Sequence, residues 1–326
     1  EAAEKMGKLH SQLKAVGYDG HALEVMLIRL LFCLFAEDTG IFEKYQFSRF
    51  IQNKTQADGS DLAAQLSYLF HVLNQAEDKR LKNLDADLAE FAYINGQLFS
   101  EFYPPASFDD EMRNLLLEAC EMDWSKISPE IFGSLFQSVM NKTERRALGA
   151  HYTGEDNILK VVSSLFLDDL RAEFDVLRKK GRNAERVAGL NAFHQRLASL
   201  RFLDPACGCG NFLIVTYREL RLLELDVIGE LYKKDQLLDV STIVRCNVNQ
   251  LHGIEIEDFP TQIARVAMWL IDHQMNMLVS QHYGTHFARI PLKTSADIQN
   301  ANALTNEWPE VDYILGNPPF IGHQWR

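Results

Sequence analysis

The chain has 326 residues, 47% of them apolar and 24% charged, with a net charge of −12. That balance is globular rather than disordered, and no apolar run approaches the roughly 20 residues that cross a bilayer. The acidic sum weighs against a self-sufficient DNA binder, which carries a basic face, and leaves room only for a local basic stripe.

Residues 1–140 are expected to form an all-α domain. Leu23, Met26, Leu27, Leu30, Leu31 and Leu34 recur at spacings of three and four, as do Leu62, Leu66, Leu69, Phe70 and Leu73; this is the period of a buried helix face. Residues 53–60 are polar and loop-like, and Tyr103-Pro-Pro105 breaks the pattern. Ser128 followed by Pro129 and Glu130 has the form of a helix start. Composition shifts near residue 141, which sets a second domain at 141–326. A helical run is expected over 156–179, and the basic turn at 178–183 reads as a solvated loop.

From Leu197 the pattern becomes β/α. Residues 200–204 form a short apolar strand, and a helix from Asn211 places Leu213, Tyr217, Leu220 and Leu223 on one face. A second strand covers 250–256 and a second helix 260–277. A third strand is expected to end at Asp297, and a fourth covers 311–315. Strands alternating with helices imply an α/β, doubly wound parallel sheet. Ligands on such sheets bind at the carboxyl ends of the strands.

Two motifs stand at those ends. The first is Asp204-Pro-Ala-Cys-Gly-Cys-Gly-Asn-Phe-Leu213. Gly208 and Gly210 allow a tight turn and close approach to a ligand, and the helix starting at Asn211 directs its positive end back at the turn, where a carboxylate is stabilised. The turn lacks the third glycine of a dinucleotide fingerprint. Asp204 suits an ammonium group and would repel a pyrophosphate. These features select S-adenosylmethionine as cofactor. Glu255, 45 residues beyond Gly210 (255 − 210), is expected to accept from two ribose hydroxyls, and Asp297 from an adenine amino group. That spacing requires an inserted segment, helical in part, near 226–247. Pro205, Ala206, Cys207, Asn211 and Phe212 complete the cofactor loop. Cys207 and Cys209 have C-x-C spacing with no second pair, so no metal is expected. His282 and His286 can share a helix face but read as structural. Five scattered cysteines form no disulfide framework and point to a reducing, cytoplasmic compartment.

The second motif is Asn317-Pro-Pro-Phe320. Two prolines fix the backbone. The Asn317 side-chain oxygen and the Pro318 carbonyl are two acceptors, able to take both hydrogens of an NH₂ group and so free its lone pair for attack on a sulfonium methyl. Pro319 stiffens the turn, and Phe320 offers a face on which a flipped base can stack. The chemistry is positioning and hydrogen bonding, with no general base required first.

With these motifs in view, the chain resembles the γ-class N6-adenine DNA methyltransferases. In that family a Gly-x-Tyr-Thr-like segment, an Asp-Pro-Ala-Cys-Gly-x-Gly loop and an Asn-Pro-Pro-aromatic turn follow in that order. Gly149-Ala-His-Tyr-Thr153 matches the first element. The resemblance then implies that Tyr152 and Thr153 line the cofactor's methionine end and that Ile256 packs on its adenine. It implies a Rossmann-like class I methyltransferase core, cut after the fourth strand. Residues 30–41, 253–260 and 267–276 are similar to single-chain type IIL restriction–modification enzymes, in which a helical connector precedes the methyltransferase. Double-stranded DNA is the implied partner, engaged through regions that lie partly outside this chain. Cys209 departs from the family's usual small residue. The chain begins at Glu1 without an initiator methionine and ends six residues after Phe320, as a segment of a longer protein does.

The tetrapeptide does not by itself separate adenine in DNA from adenine in RNA or a protein glutamine, since each presents an NH₂ group. A non-catalytic module binding cofactor and DNA is a further alternative.

Overall fold

The computed structural model describes residues 2–94, 97–126, 153–181, 184–232, 243–283 and 296–319. The chain separates into two compact units, Glu1–Asn141 and Lys142–Arg326. The expected helix start at Ser128 lies outside the described residues, as do Gly149, Tyr152, His286 and Phe320.

The first unit is helical: α1 Ala2–Ala15, α2 Gly20–Asp38, α3 Gln46–Lys54, α4 Leu62–Leu73, the short α5 Ala86–Ala89, and α6 Asp110–Cys120. Every residue of α2 over 25–37 is buried. A helix apolar on all sides belongs at the centre of a fold, and α2 takes that place. Its two buried charges are matched. Arg29 donates to Leu98 O at 2.8 Å and Glu101 O at 2.7 Å, beneath the rings of Phe70, Phe99 and Tyr103. Glu37 accepts from the amide and hydroxyl of Ser48. Asp109 caps α6 by accepting from Met112 N at 2.8 Å.

The second unit is the α/β core. Helix α7 Glu155–Val162 passes through a π turn at Ser163–Leu167 into α8 Asp168–Lys179. The sequence pattern shows the helical run but not the π turn. This extra turn holds buried Phe166 against Phe202 and Tyr313, with ring centroids 4.9 and 5.0 Å away. Helix α9 Ala184–Ser199 follows. It was not anticipated: Leu197 lies within it, and the β/α alternation begins only after it. Strand β1 Phe202–Asp204 leads to α10 Asn211–Leu231, β2 Leu251–Glu255, α11 Asp258–Tyr283, β3 Asp297–Asn300 and β4 Tyr313–Ile314. The expected insertion at 226–247 is, as far as Leu231, the continuation of α10.

The four strands are parallel in the order β3-β2-β1-β4, a Rossmann-like arrangement. Strands β1 and β2 are almost wholly buried, as parallel strands covered on both faces must be. A buried polar chain ties the helices together. Arg221 donates to Tyr217 Oη at 2.7 Å, Asp272 Oδ1 at 3.0 Å and Asn276 Oδ1 at 2.9 Å. Glu224 meets Arg221 and His194 and accepts from the amides of Arg245 and Cys246. Buried charges survive only when paired in this way, and the chain fixes α10, whose first turn borders the site. Among the described residues, no helix is long and apolar enough to cross a membrane.

Candidate active site

Strand β1 ends at Asp204, and the chain turns back at once through residues 205–210. Gly208 and Gly210 sit at φ +54° and +86°, in the region where a side chain is strained. Three bonds donated by backbone amides fix the turn, two to carbonyls and one to a carboxylate. Cys207 N donates to Ile254 O at 3.0 Å, Gly208 N to Glu255 Oε2 at 2.8 Å, and Gly210 N to Cys207 O at 2.8 Å. A Cβ on Gly210 would lie 3.2 Å from that of Ala264, so the turn also sits close against α11.

Asp204 is almost completely buried. Its Oδ1 accepts from Ala206 N at 3.0 Å. Removal from water, reinforced by the nearby Glu255 carboxylate against the Ala206 bond, pushes its pKa up to about 7. Glu255 Oε1 accepts from Glu257 N at 3.0 Å, so both of its oxygens hold backbone while keeping lone pairs for a ligand. Ile256, next along, is 62% exposed, a large apolar side chain left bare at the sheet's carboxyl edge. Asn211 Oδ1, in the first turn of α10, is a buried acceptor with no partner. A buried carboxylate, an unused buried acceptor and a bare apolar surface fit a small ligand with a cationic group and an apolar ring.

The second motif joins the first. Leu315 N donates to Leu203 O at 2.9 Å, which lays the end of β4 along β1. A Cβ on Gly316 would stand 2.4 Å from Asp204 Oδ1, and its φ is +147°. Only glycine lets the chain pass so close to that carboxylate. Asn317, Pro318 and Pro319 follow immediately and are exposed, and Asn317 Nδ2 donates to Thr153 Oγ1 at 3.1 Å.

One expected site residue is placed elsewhere. Asp297 opens β3 rather than ending it, opposite His252 in register, and accepts a contact from His252 Nδ1 at 3.1 Å. Three residues of strand separate it from the carboxyl edge, about 10 Å. Residues 290–295 of the expected strand lie outside the described residues, and among the described ones pairing begins at Asp297. Asn300 ends β3 instead, in register with Glu255. Its Nδ2 donates to Glu255 O at 3.1 Å and Ile256 O at 2.9 Å, so its side-chain oxygen takes no part in these bonds.

Gly253 was also missed, although glycine inside a buried strand signals close approach. A Cβ there would meet Ile298 Cδ1 at 2.8 Å, Cys207 Sγ at 2.9 Å and Leu213 Cδ1 at 3.1 Å. Gly253→Ala is expected to destabilise the protein by about 1–3 kcal/mol through overpacking. Thermal unfolding checks this, and an unchanged midpoint would contradict the packing. The five cysteines are free and buried. Burial raises the thiols of Cys207 and Cys209 far from thiolate formation, and no cluster of three metal-binding side chains occurs among the described residues.

Residues 177–326 match the family described as the MmeI DNA-methyltransferase domain, and residues 21–99 the MmeI helicase spacer domain. The chain has the MmeI family's spacer and methyltransferase domains. It superposes on a solved structure of the type IIL restriction–modification enzyme MmeI in complex with DNA, with a TM-score of 0.89 and 58% identity, covering 99% of this chain and 43% of that one. DNA methyltransferase A of Bacillus subtilis (strain 168) is 38% identical over 99% of the chain and 37% of its own length. A putative type II restriction enzyme and methyltransferase of Methanocaldococcus jannaschii, RM.MjaORFECS2P, is 25% identical over 76% of the chain and 24% of its own length. The chain thus spans less than half the length of each of these relatives.

Proposed function

We propose that this MmeI-type segment is the core of an S-adenosylmethionine-dependent methyltransferase that modifies adenine N6 in double-stranded DNA, within a restriction–modification protein. The observation that carries this reading is the contact of Gly316 with Asp204, which puts the Asn-Pro-Pro turn beside the cofactor loop. Asp204 would hold the cofactor's ammonium group, and the loop amides at the start of α10 its carboxylate. Glu255 would accept from the ribose hydroxyls. Ile256 would cover one face of the adenine, and the oxygen of Asn300 would accept from its amino group in the role expected of Asp297. Once bound, S-adenosylmethionine supplies an electrophilic methyl group on a sulfonium.

The chain's own part is to hold the target nitrogen. Asn317 Oδ1 and the Pro318 carbonyl accept one hydrogen each from the amine, which withdraws its lone pair from the ring. By family resemblance, Phe320 stacks on the extruded base and Tyr152 borders the cofactor. The acidic net charge assigns much of the DNA-binding surface to other parts of the protein.

The decisive test offers the full-length protein labelled S-adenosylmethionine with duplex DNA, RNA and protein as competing acceptors. Label is expected in N6-methyladenine of DNA. Label confined to RNA or protein would overturn the assignment of substrate, and label nowhere would overturn the reaction.

A further inference from the structure

We infer that Thr153 is a positioning residue for Asn317, rather than only part of the wall around the cofactor's methionine end. The inference rests on the methyltransferase reading above. Its starting point is one contact between residues 164 positions apart: Asn317 Nδ2 donates to Thr153 Oγ1 at 3.1 Å. Asn317 is exposed, and among the described residues this is the side-chain bond that its amide makes.

An exposed amide without a partner turns freely about its last torsion and presents nitrogen or oxygen with similar ease. Nitrogen facing the substrate would place a donor against an amine that must itself donate. In the bond the structure shows, Nδ2 faces Thr153 and not the substrate side. The oxygen and nitrogen of an amide share one carbon, so anchoring the nitrogen also aims Oδ1, with its lone pairs free, away from Thr153.

Thr153 is itself held. Gly154 caps α7 in extended conformation, and its carbonyl accepts from Asn157 N and Ile158 N at 3.0 and 3.2 Å. Glu155, in the first turn of α7, pairs with Arg218 on α10 at 2.5 Å. Arg218 lies two turns into the helix that starts directly after the cofactor loop. The path Arg218–Glu155–Thr153–Asn317 therefore ties that helix to the tetrapeptide by a route separate from the sheet. A threonine hydroxyl is compact and stiff at χ1, which suits it to fix a neighbour's orientation.

The test uses the full-length protein with Thr153→Val, which keeps the shape and loses the hydroxyl, Thr153→Ser, which keeps the hydroxyl, and Thr153→Ala, which serves in place of valine if that variant folds poorly. Thr153→Val is expected to lower the single-turnover rate about tenfold or more, with the cofactor Kd from calorimetry changed less than about threefold. Serine is expected to restore the rate to within about threefold of the parent protein. In an Asn317→Ala background, Thr153→Val is expected to cost nothing further, because the hydroxyl acts through the amide. An unimpaired rate in Thr153→Val, or a cofactor Kd that rises as much as the rate falls, would overturn the inference. These outcomes are separable from failure of the reaction itself: no methyl transfer by the parent protein refutes the methyltransferase reading, Asn317→Ala with full activity refutes the role of Asn317, and inactive Asn317→Ala beside fully active Thr153→Val refutes only the role of Thr153.

Discussion

Asn317→Ala in the full-length protein is expected to lower the rate of methyl transfer about 100- to 1,000-fold, the cost of losing one aimed hydrogen-bond partner of a reacting group. Cofactor affinity is expected to stay within about threefold. The separation follows from how the turn is held. Asn317 is exposed, so its truncation opens no cavity. The backbone at 317 is placed by what precedes it: Leu315 N bonded to Leu203 O, and Gly316 in a conformation and at a distance that admit no side chain. Pro318 keeps its own torsion and its carbonyl. The variant therefore loses one acceptor and retains both the other acceptor and the loop at 204–210. Single-turnover transfer of a labelled methyl group, beside calorimetric titration of the cofactor, reads the two effects separately. A rate near that of the parent protein would remove Asn317 from the chemistry. A parallel loss of cofactor binding would make it part of the cofactor pocket instead.

Much of this site was legible because its parts are local in sequence. A Gly-x-Gly turn between an apolar strand and an amphipathic helix declares its own geometry, and so does a double proline after a strand. Glu255 follows from the same reasoning, since an acidic residue at the end of a strand is presented at the sheet's edge, whereas Ile256 came only from the family resemblance. What escaped depends on contacts across the fold. Gly316 is conspicuous only once Asp204 is known to stand against it. The bond from Asn317 to Thr153 spans 164 positions, and no local pattern encodes it. Asp297 illustrates the opposite failure. A polar residue after an apolar stretch is a sound marker of a strand's end when the strand is buried throughout, but β3 is an edge strand with exposed positions. Its polar residues lie within the pairing, and the end falls at Asn300. Helix α9 carries buried Leu190, Phe193 and Leu197 at helical spacing, but its buried surface also includes Arg186 and His194, residues that weaken the apolar stripe.

Asp204→Asn is expected to make the protein more stable and less able to bind cofactor. The carboxyl group is almost fully buried, and its pKa stands at about 7, against about 3.8 to 3.9 in an unfolded chain. Because the folded value is the higher one, the folded state retains a proton that the unfolded state releases between pH 4 and 7. Stability therefore falls as pH rises through that window and is level above it. About three pH units at roughly 1.4 kcal/mol each set an upper bound near 4 kcal/mol. Asparagine removes the titration while its oxygen still accepts from Ala206 N. Its new NH₂ group gives back part of the gain, so about 2–4 kcal/mol of stabilisation is expected at pH 8. On the proposed reading, the parent protein keeps the aspartate because a cationic ligand needs it. An ammonium group beside Asp204 favours the ionised form, so below pH 7 binding must expel a proton. Cofactor affinity in the parent protein is expected to fall about tenfold per pH unit below 7 and to level off above it, whereas Asp204→Asn should bind weakly with no such dependence. Melting temperatures of both proteins from pH 4 to 8, paired with titrations of S-adenosylmethionine over the range where each remains folded, test the two halves together. If the gap in melting temperature did not widen with pH, the buried charge would not be the cost described. If the asparagine variant bound cofactor as the parent does, Asp204 would be a structural residue and the ammonium would have to be held elsewhere.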